Sequence, residues 1–83
     1  MKPGSLKLPQ VSGRRLFRLF TRLGYKTIQQ RGSHIQMKKR TRLGTHRITV
    51  VVHQTLAKGT LHDVLSRVGK NNNLSRAELL KML

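Results

Sequence analysis

Apolar residues along the chain follow two different periods, and the change between them separates predicted helices from predicted strands. The first apolar run recurs at helical spacing and consists of Leu16, Leu19, Phe20 and Leu23. Ser12 precedes this run as a favourable N-cap, and Gly24 follows it as a favourable C-terminal stop. The pattern therefore predicts a helix over residues 13–23.

The period then changes to short alternating runs that are typical of β-strands. Residues 25–31 and 34–39 form two such runs, and Gly32-Ser33 between them has the signature of a type II′ hairpin turn. A third run, residues 47–53, is rich in β-branched side chains and follows a polar connection over residues 40–46. We expect three antiparallel strands.

Two capping patterns predict helices after the strands. Thr60 with Asp63 matches a capping box that opens an apolar helix ending at Gly69, and Ser75 with Glu78 repeats the pattern before a short closing helix. We interpret both carboxylates as caps rather than as catalytic groups.

The predicted fold class is α+β with the element order α-β-β-β-α. One three-stranded antiparallel sheet carries helices on one face and leaves the other face open, and a short extra helix follows at the C-terminus. Residues 1–11 contain two prolines and a glycine without any apolar period, so we expect a basic, flexible lead-in. Residues 12–83 then form a single domain.

The amino-acid composition excludes several classes of function. The chain has 18 Lys plus Arg against 2 Asp plus Glu, a formal charge of +16, and no cysteine. Two carboxylates are too few for a paired-acid glycosidase site or for a two-magnesium nuclease centre, so we expect no metal and no small-molecule cofactor. A charge this large favours a polyanionic partner, with nucleic acid first. No apolar segment is long enough for a signal peptide or a membrane span, and we expect a cytoplasmic protein without a membrane partner.

Hairpin geometry predicts which side chains share the open face. A two-residue turn at Gly32-Ser33 pairs Arg31 with His34, and it pairs Ile28 with Met37 on the buried face. The buried face would then contain Ile28, Ile35, Met37, Ile48, Val50 and Val52.

A second hairpin that is symmetric about its loop would place His53 beside His34. Arg31, His34 and His53 would then form a row of adjacent side chains. Such a row contains a base for a ribose 2′-hydroxyl, a donor for the departing oxygen and a fixed positive charge for the phosphorane, which suits metal-free RNA cleavage. The alternative is that both histidines are ordinary polar surface residues. His46 and His62 are weaker candidates.

Several short motifs together resemble those of HicA-type toxins, the messenger-RNA interferases of prokaryotic toxin-antitoxin pairs. These are Leu23-Gly24-Tyr25 at the end of a helix, Arg31-Gly32-Ser33-His34 opening a strand, Ile48-Thr49-Val50-Val51-Val52-His53, and Lys58-Gly59-Thr60-Leu61. The likeness spans about residues 12–69. The family commonly has a proline where this chain has Val52.

This resemblance implies a fold like that of double-stranded-RNA-binding domains, an endoribonuclease activity and a cognate HicB-type antitoxin that covers the site and is acidic where it makes contact. The catalytic histidine of the family corresponds to His34, and we expect His53 to be a second proton carrier. The residues expected to hold RNA are Arg31, Gly32, Ser33, Gln36, Lys38, Lys39, Arg40, Arg42 and Arg47. The alternative function is a non-catalytic RNA-binding module of the same fold.

Overall fold

Three helices and five strands make up the described part of the chain, residues 10–83, in the computed structural model. In chain order they are β1 (Val11–Ser12), α1 (Gly13–Leu23), β2 (Lys26–Arg31), β3 (His34–Thr41), β4 (Gly44–Val51), β5 (Thr55–Leu56), α2 (Lys58–Asn72) and α3 (Arg76–Met82). Strands β2, β3 and β4 form an antiparallel sheet in that order, and β1 pairs with β5 in a separate ladder. The predicted α+β class and the order of the main elements are confirmed.

Helix α1 begins and ends where the sequence predicts. The side chain of Ser12 accepts a hydrogen bond from the backbone N–H of Arg15 at 3.2 Å, which satisfies one of the free donors of the first turn. Gly24 ends the helix in the left-handed conformation with φ of 102°, which is favourable only for residues without a bulky Cβ. Both caps are confirmed.

The first hairpin also forms as predicted, although one residue of β2 is displaced. Gly32 has φ of 57°, and Arg31 pairs with His34. Farther along, Thr27 rather than Ile28 pairs with Met37, because a β-bulge between Thr27 and Gln29 inserts Ile28 as an extra residue. The predicted burial of Ile28 is therefore wrong, and its side chain is 42% exposed.

The second hairpin differs from the prediction in its loop and its register. The polar connection predicted over residues 40–46 is wrong, because β3 and β4 continue to a turn of only two residues, Arg42 and Leu43. Neither turn residue has a positive φ; Gly44, directly after the turn, has φ of 115°. The shorter loop moves every pair along β4 by two residues from the predicted register. Ile35 pairs with Val50 instead of Val52.

The last two helices differ in how they begin. Helix α2 begins at Lys58 after Ala57, which makes no side-chain cap, so the predicted capping box of Thr60 with Asp63 is wrong. Helix α3 has the predicted reciprocal cap: the backbone N–H of Glu78 donates to Ser75 at 3.0 Å, and the N–H of Ser75 donates to the Glu78 carboxylate at 2.8 Å. These hydrogen bonds hold the pKa of Glu78 below its ordinary value.

Helix α2 continues past its predicted end at Gly69. It ends at Asn72, and Asn73 follows in the left-handed conformation. Gly69 is buried inside the helix, where a Cβ would overlap the carbonyl oxygen of Leu74. This glycine therefore permits a close approach of the chain between α2 and α3 and does not end the helix.

The core lies between the helices and one face of the sheet. Its fully buried members include Leu19, Phe20, Met37, Leu61, Leu65, Val68 and Leu79. The sheet contributes Ile35, Met37 and Val50, with Ile48 and Val52 packed at its margin, so the predicted core positions of β3 and of the third strand are confirmed. Val11, the last residue of the predicted lead-in, is buried and pairs with Leu56, while residues 1–9 lie outside the described part.

Candidate active site

The turn at Gly32 and Ser33 positions the principal candidate, His34, as the first residue of β3. His34 is exposed and pairs directly with Arg31 across the hairpin. The side-chain amide of Gln30 donates to the carbonyl oxygen of Gly32 at 3.2 Å and so holds the turn from the β2 side. An imidazole and a guanidinium therefore lie side by side on the face of the sheet that the helices leave open.

His53 does not lie beside His34, and the predicted row of Arg31, His34 and His53 is wrong. The β4 partner of His34 is Val51, because the two-residue turn shifts the register. His53 lies in a turn after β4, where the chain bends away from the sheet and the carbonyl of Gln54 accepts a hydrogen bond from Gly13 at 2.7 Å. An aliphatic side chain therefore occupies the place predicted for the second imidazole.

The two histidines line different cavities. His34 lines a cavity of about 330 Å³ whose other lining residues are Gln29, Arg31 and Gln36. His53 lines a cavity of about 340 Å³ with Arg14 and Phe17 of α1 and with Gly32 and Ser33 of the turn. The Gly32-Ser33 turn adjoins both histidines, since it borders the His53 cavity and directly precedes His34.

The open face follows from alternation along the three paired strands. Its members are Lys26, Gln29 and Arg31 on β2; His34, Gln36, Lys38 and Arg40 on β3; and Thr45, Arg47, Thr49 and Val51 on β4. The face therefore includes five of the predicted RNA-contacting residues together with His34. The third-strand alternation in the sequence already predicts Thr49 on this side, whereas Lys26 and Gln29 were not predicted as site residues. The bulge at Ile28 hides Lys26 from a simple alternation count, while Gln29 alternates regularly with Arg31.

One row on this face consists entirely of cations. Lys38 pairs with Lys26 on one side and with Arg47 on the other, so three positive side chains lie in adjacent positions. Cβ atoms of directly paired residues are about 4.5–5.5 Å apart, and like charges at that separation destabilise a sheet. The two carboxylate side chains of the chain, Asp63 and Glu78, belong to α2 and α3 and not to this face. The row is therefore a local electrostatic site for an anion.

Two predicted contacts, Lys39 and Arg42, lie away from this face. The Lys39 ammonium donates to the side-chain oxygen of Asn72 on α2 and lies 5.8 Å from the centre of the Tyr25 ring. Arg42 is exposed in the second turn, at the end of β3 opposite His34. Four cations that lie close together in sequence therefore lie in three places: Lys38 and Arg40 on the open face, Lys39 on the helix side, and Arg42 in the second turn.

On the helix side of the sheet, Tyr25 connects the strands to α2. Its hydroxyl accepts from the Asn72 side-chain amide at 3.0 Å and lies 2.6 Å from Nδ1 of His46. With the imidazole protonated at Nε2, the hydroxyl donates to Nδ1; with the proton on Nδ1, the hydroxyl accepts instead. Burial, with the positive charge of Arg67 second, lowers the pKa of His46, and burial raises the pKa of Tyr25. His46 thus has a structural role in β4.

Neither a metal-binding cluster nor a membrane-spanning helix is found within residues 10–83. No three His, Cys, Asp or Glu side chains in that range come together in a way that could hold a metal ion. None of the helices there is both long and apolar enough to cross a bilayer. His62, the fourth histidine, is exposed on α2 and lies outside the face that carries His34.

Comparison with protein-family models identifies a family that this chain matches. The family model described as "HicA toxin of bacterial toxin-antitoxin" matches residues 13–69, which extend from the start of α1 into α2. Neither the comparison with curated proteins nor that with solved structures finds a match. The matched range includes every residue of the open face.

Proposed function

This chain belongs to the HicA family of bacterial toxins, and from that premise we propose that it is an endoribonuclease that cuts messenger RNA without a metal ion. Family membership makes it the toxin of a toxin–antitoxin system and gives it a cognate antitoxin. The observation that supports RNA as the substrate is the open face, where the exposed imidazole of His34 shares one surface with three adjacent cations.

In the proposed reaction His34 acts as the general base. Its neutral imidazole takes the proton from a ribose 2′-hydroxyl, the 2′-oxygen attacks the adjacent phosphorus, and the bond from phosphorus to the 5′-oxygen breaks. The products are a 2′,3′-cyclic phosphate and a free 5′-hydroxyl, so no water is consumed in this step. Arg31, the paired neighbour of His34, stabilises the negative oxygens of the phosphorane.

The cation row holds the strand at a distance from the scissile bond. Lys38 lies four residues from His34 along β3, which corresponds to about 13 Å at the rise of an extended strand. Lys38, with Lys26 and Arg47 beside it, therefore contacts phosphates away from the cut. Arg40 extends the same surface, while Gln36, Gly32 and Ser33 lie nearer to the reacting phosphate.

His53 is the proposed second proton carrier, which protonates the departing 5′-oxygen. Because His53 lines the cavity beyond the Gly32-Ser33 turn, this role requires the RNA to bend around that turn. The same separation favours the alternative function, a non-catalytic RNA-binding module, because no second imidazole lies in the row of His34. Lys39 and Arg42 remain proposed contacts only for RNA that extends beyond the open face.

The deciding experiment compares His34→Ala with the parent protein and with His62→Ala, which removes an exposed imidazole from α2. Each protein is incubated with a labelled RNA in the presence of EDTA, and cleavage rate, product ends and RNA affinity are measured. We expect His34→Ala to lose cleavage by about 10²–10⁴-fold with unchanged affinity, and His62→Ala to retain both.

Three results would contradict the proposal. Cleavage that stops in EDTA would contradict metal independence, and equal cleavage by His34→Ala and the parent would remove His34 from catalysis. A parent protein that binds RNA but leaves it intact would establish the binding module instead. His53→Ala, assayed in parallel, tests the second proton carrier, with an expected loss of cleavage at unchanged RNA affinity.

A further inference from the structure

Within residues 10–83, no strand pairs with the outer edge of β4, so the backbone groups directed outward from that edge have no strand partner there. In a two-residue hairpin, the two residues that flank the turn exchange two backbone hydrogen bonds. Thr41 and Gly44 are that pair here, so Gly44 directs its N–H and C=O groups toward β3. At the other end of the strand, the N–H of Val52 donates to the carbonyl of Ser33 at 2.9 Å. This bond indicates independently that even-numbered residues direct their backbone groups toward β3. The odd-numbered residues Thr45, Arg47 and Thr49 therefore direct their N–H and C=O groups outward.

The far end of this edge is covered by α1. A Cβ at Gly13 would overlap the carbonyl oxygen of Val51, so the N-terminus of α1 lies against β4 at that point. The free edge is thus limited to the segment around Thr45, Arg47 and Thr49. A segment of this length accommodates an additional strand of about five residues.

An apolar groove lies beside the same edge. It has a volume of about 290 Å³ and passes between β4, α1 and the first half of α2. Its apolar lining residues include Leu16, Phe20, Ile48, Val50, Leu56 and Val64. A strand added to β4 would direct alternate side chains toward this groove, because the even-numbered positions of β4 face the same way.

Charge determines which occupant fits. Arg47 lies on the open face of the sheet and Arg67 lines the groove, so both sides of the edge are positive. A second copy of this chain would bring another formal charge of +16 to the same place and would be repelled. The complementary occupant is an extended segment that alternates aliphatic residues, directed into the groove, with carboxylates, directed toward Arg47.

The opposite edge of the sheet does not offer the same features. Strand β2 contains the bulge at Ile28, and every one of its side chains is exposed. A bulge interrupts the regular backbone spacing that a new strand needs, and it is a common protection of sheet edges. The two edges therefore provide an internal comparison.

We propose that the β4 edge binds an extended segment of the cognate antitoxin by strand addition, with alternating aliphatic and acidic residues. The main-chain groups of Arg47 and Thr49 form the new hydrogen bonds, and the apolar groove receives the aliphatic side chains. This inference rests on family membership and on the backbone geometry of β4, and it does not depend on RNA cleavage.

The test uses a synthetic probe, an acetylated and amidated nine-residue peptide that alternates Glu and Val. Amide hydrogen exchange of the full chain is measured with and without the peptide. We expect the amides of Arg47 and Thr49 to exchange quickly in the free protein and to be protected when the peptide binds. The amides of Ile48 and Val50, which already bond to β3, should not change, nor should those of β2.

Two substitutions at one position separate strand addition from simple charge attraction. Thr49→Pro removes an outward N–H without breaking a bond to β3, and proline is tolerated at such edge positions. We expect this variant to bind the peptide about tenfold or more weakly, while Thr49→Val, which keeps the N–H, binds like the parent. Circular dichroism and a thermal melt establish that both variants fold.

A control peptide of the same composition, with its valines contiguous, measures the contribution of charge alone. Equal affinity for the two peptides, unchanged binding by folded Thr49→Pro, or no protection of Arg47 and Thr49 at millimolar peptide would each overturn the proposal. Protection confined to β2 would do the same. Since every readout is binding or exchange, a protein that cuts no RNA would still give a clear answer.

Discussion

Lys38 and Lys39 are adjacent in sequence but belong to two different parts of the molecule. Lys38 lies on the open face, between Lys26 and Arg47 and without a carboxylate nearby. Lys39 lies on the helix side, where it donates to Asn72 and lies over the ring of Tyr25. Positive side chains on this chain therefore have two roles: they create a positive surface on one face of the sheet, and on the other face Lys39 connects β3 to α2.

The same division holds for the whole of β3. Along one side of this strand His34, Gln36, Lys38 and Arg40 are exposed, while on the other side Ile35 and Met37 are buried. Substitutions at neighbouring positions should therefore affect different properties. Those on the open face should change binding or cleavage, and those on the helix side should change stability.

The largest stability difference is expected between Met37 and Gln36. Met37→Ala removes a fully buried side chain from the core and should lower the free energy of unfolding by about 2–5 kcal/mol. Gln36→Ala, on the open face, should change it by less than about 0.5 kcal/mol. Urea denaturation followed by circular dichroism measures both, and similar losses for the two variants would contradict the assignment of faces.

An intermediate effect is expected for the two lysines. Lys38→Ala should weaken RNA binding and reduce the dependence of log K on log salt by about 0.7, the value for one phosphate contact on a single strand. Lys39→Ala should leave that slope unchanged and should lower the free energy of unfolding by about 1 kcal/mol, since it removes a hydrogen bond to Asn72. Fluorescence anisotropy across a salt series gives the slope.

If Lys39→Ala reduced the salt slope and Lys38→Ala did not, the assignment of the phosphate contact to Lys38 and not to Lys39 would be wrong. Asn72→Ala is the matched control, because it removes the partner of Lys39 and leaves every charge in place. It should lower the free energy of unfolding by more than Lys39→Ala does, because it also removes the hydrogen bond from Asn72 to the Tyr25 hydroxyl, and it should leave RNA binding unchanged.

The smallest expected effect is a pH dependence of stability, which depends on His46 on the helix side of the sheet. Because the pKa of His46 is lowered in the folded protein, the unfolded chain takes up a proton near pH 6.5 while the folded chain resists it. The contribution of neutral His46 to the free energy of unfolding is fully present above pH 6.5 and is lost as the pH falls below that value. His46→Gln should therefore flatten the decline in stability between about pH 7 and 5, measured by urea denaturation at each pH.

His62→Gln is the control for the loss of an imidazole elsewhere, and it should keep the decline of the parent. An unchanged pH profile in His46→Gln would show that the contact with Tyr25 does not connect protonation to folding. In either case the proposed RNA binding on the open face provides a separate readout, because the His46 side chain contacts Tyr25 on the other side of the sheet.

Sequence patterns were sufficient for the elements whose signals are local. Helix α1 has an apolar period with a cap at each end, the first hairpin has a glycine at its first turn position, and α3 has a reciprocal cap; all three form as predicted. The start of α2 was not predictable in the same way, because Ala57 provides no side-chain cap and Thr60, a plausible one, lies within the first turn.

The candidate site was predictable only in part. The pairing of His34 with Arg31 follows from a two-residue turn with a clear signature. The neighbour of His34 on β4 depends on the second turn, where Arg42 and Leu43 carry no such signature and the left-handed residue is Gly44, one position later. Sequence reasoning therefore missed the register by two residues and placed His53 where Val51 lies.

From the sequence alone, the faces of residues 34–39 and 47–51 could be assigned, because alternation is a property of a single strand and survives a shift of two residues. Only the tertiary structure decided which of those residues are neighbours, because registers that differ by two bury the same side chains and differ only in their turns. The cation row around Lys38 and the separation of His34 from His53 are both results of that choice.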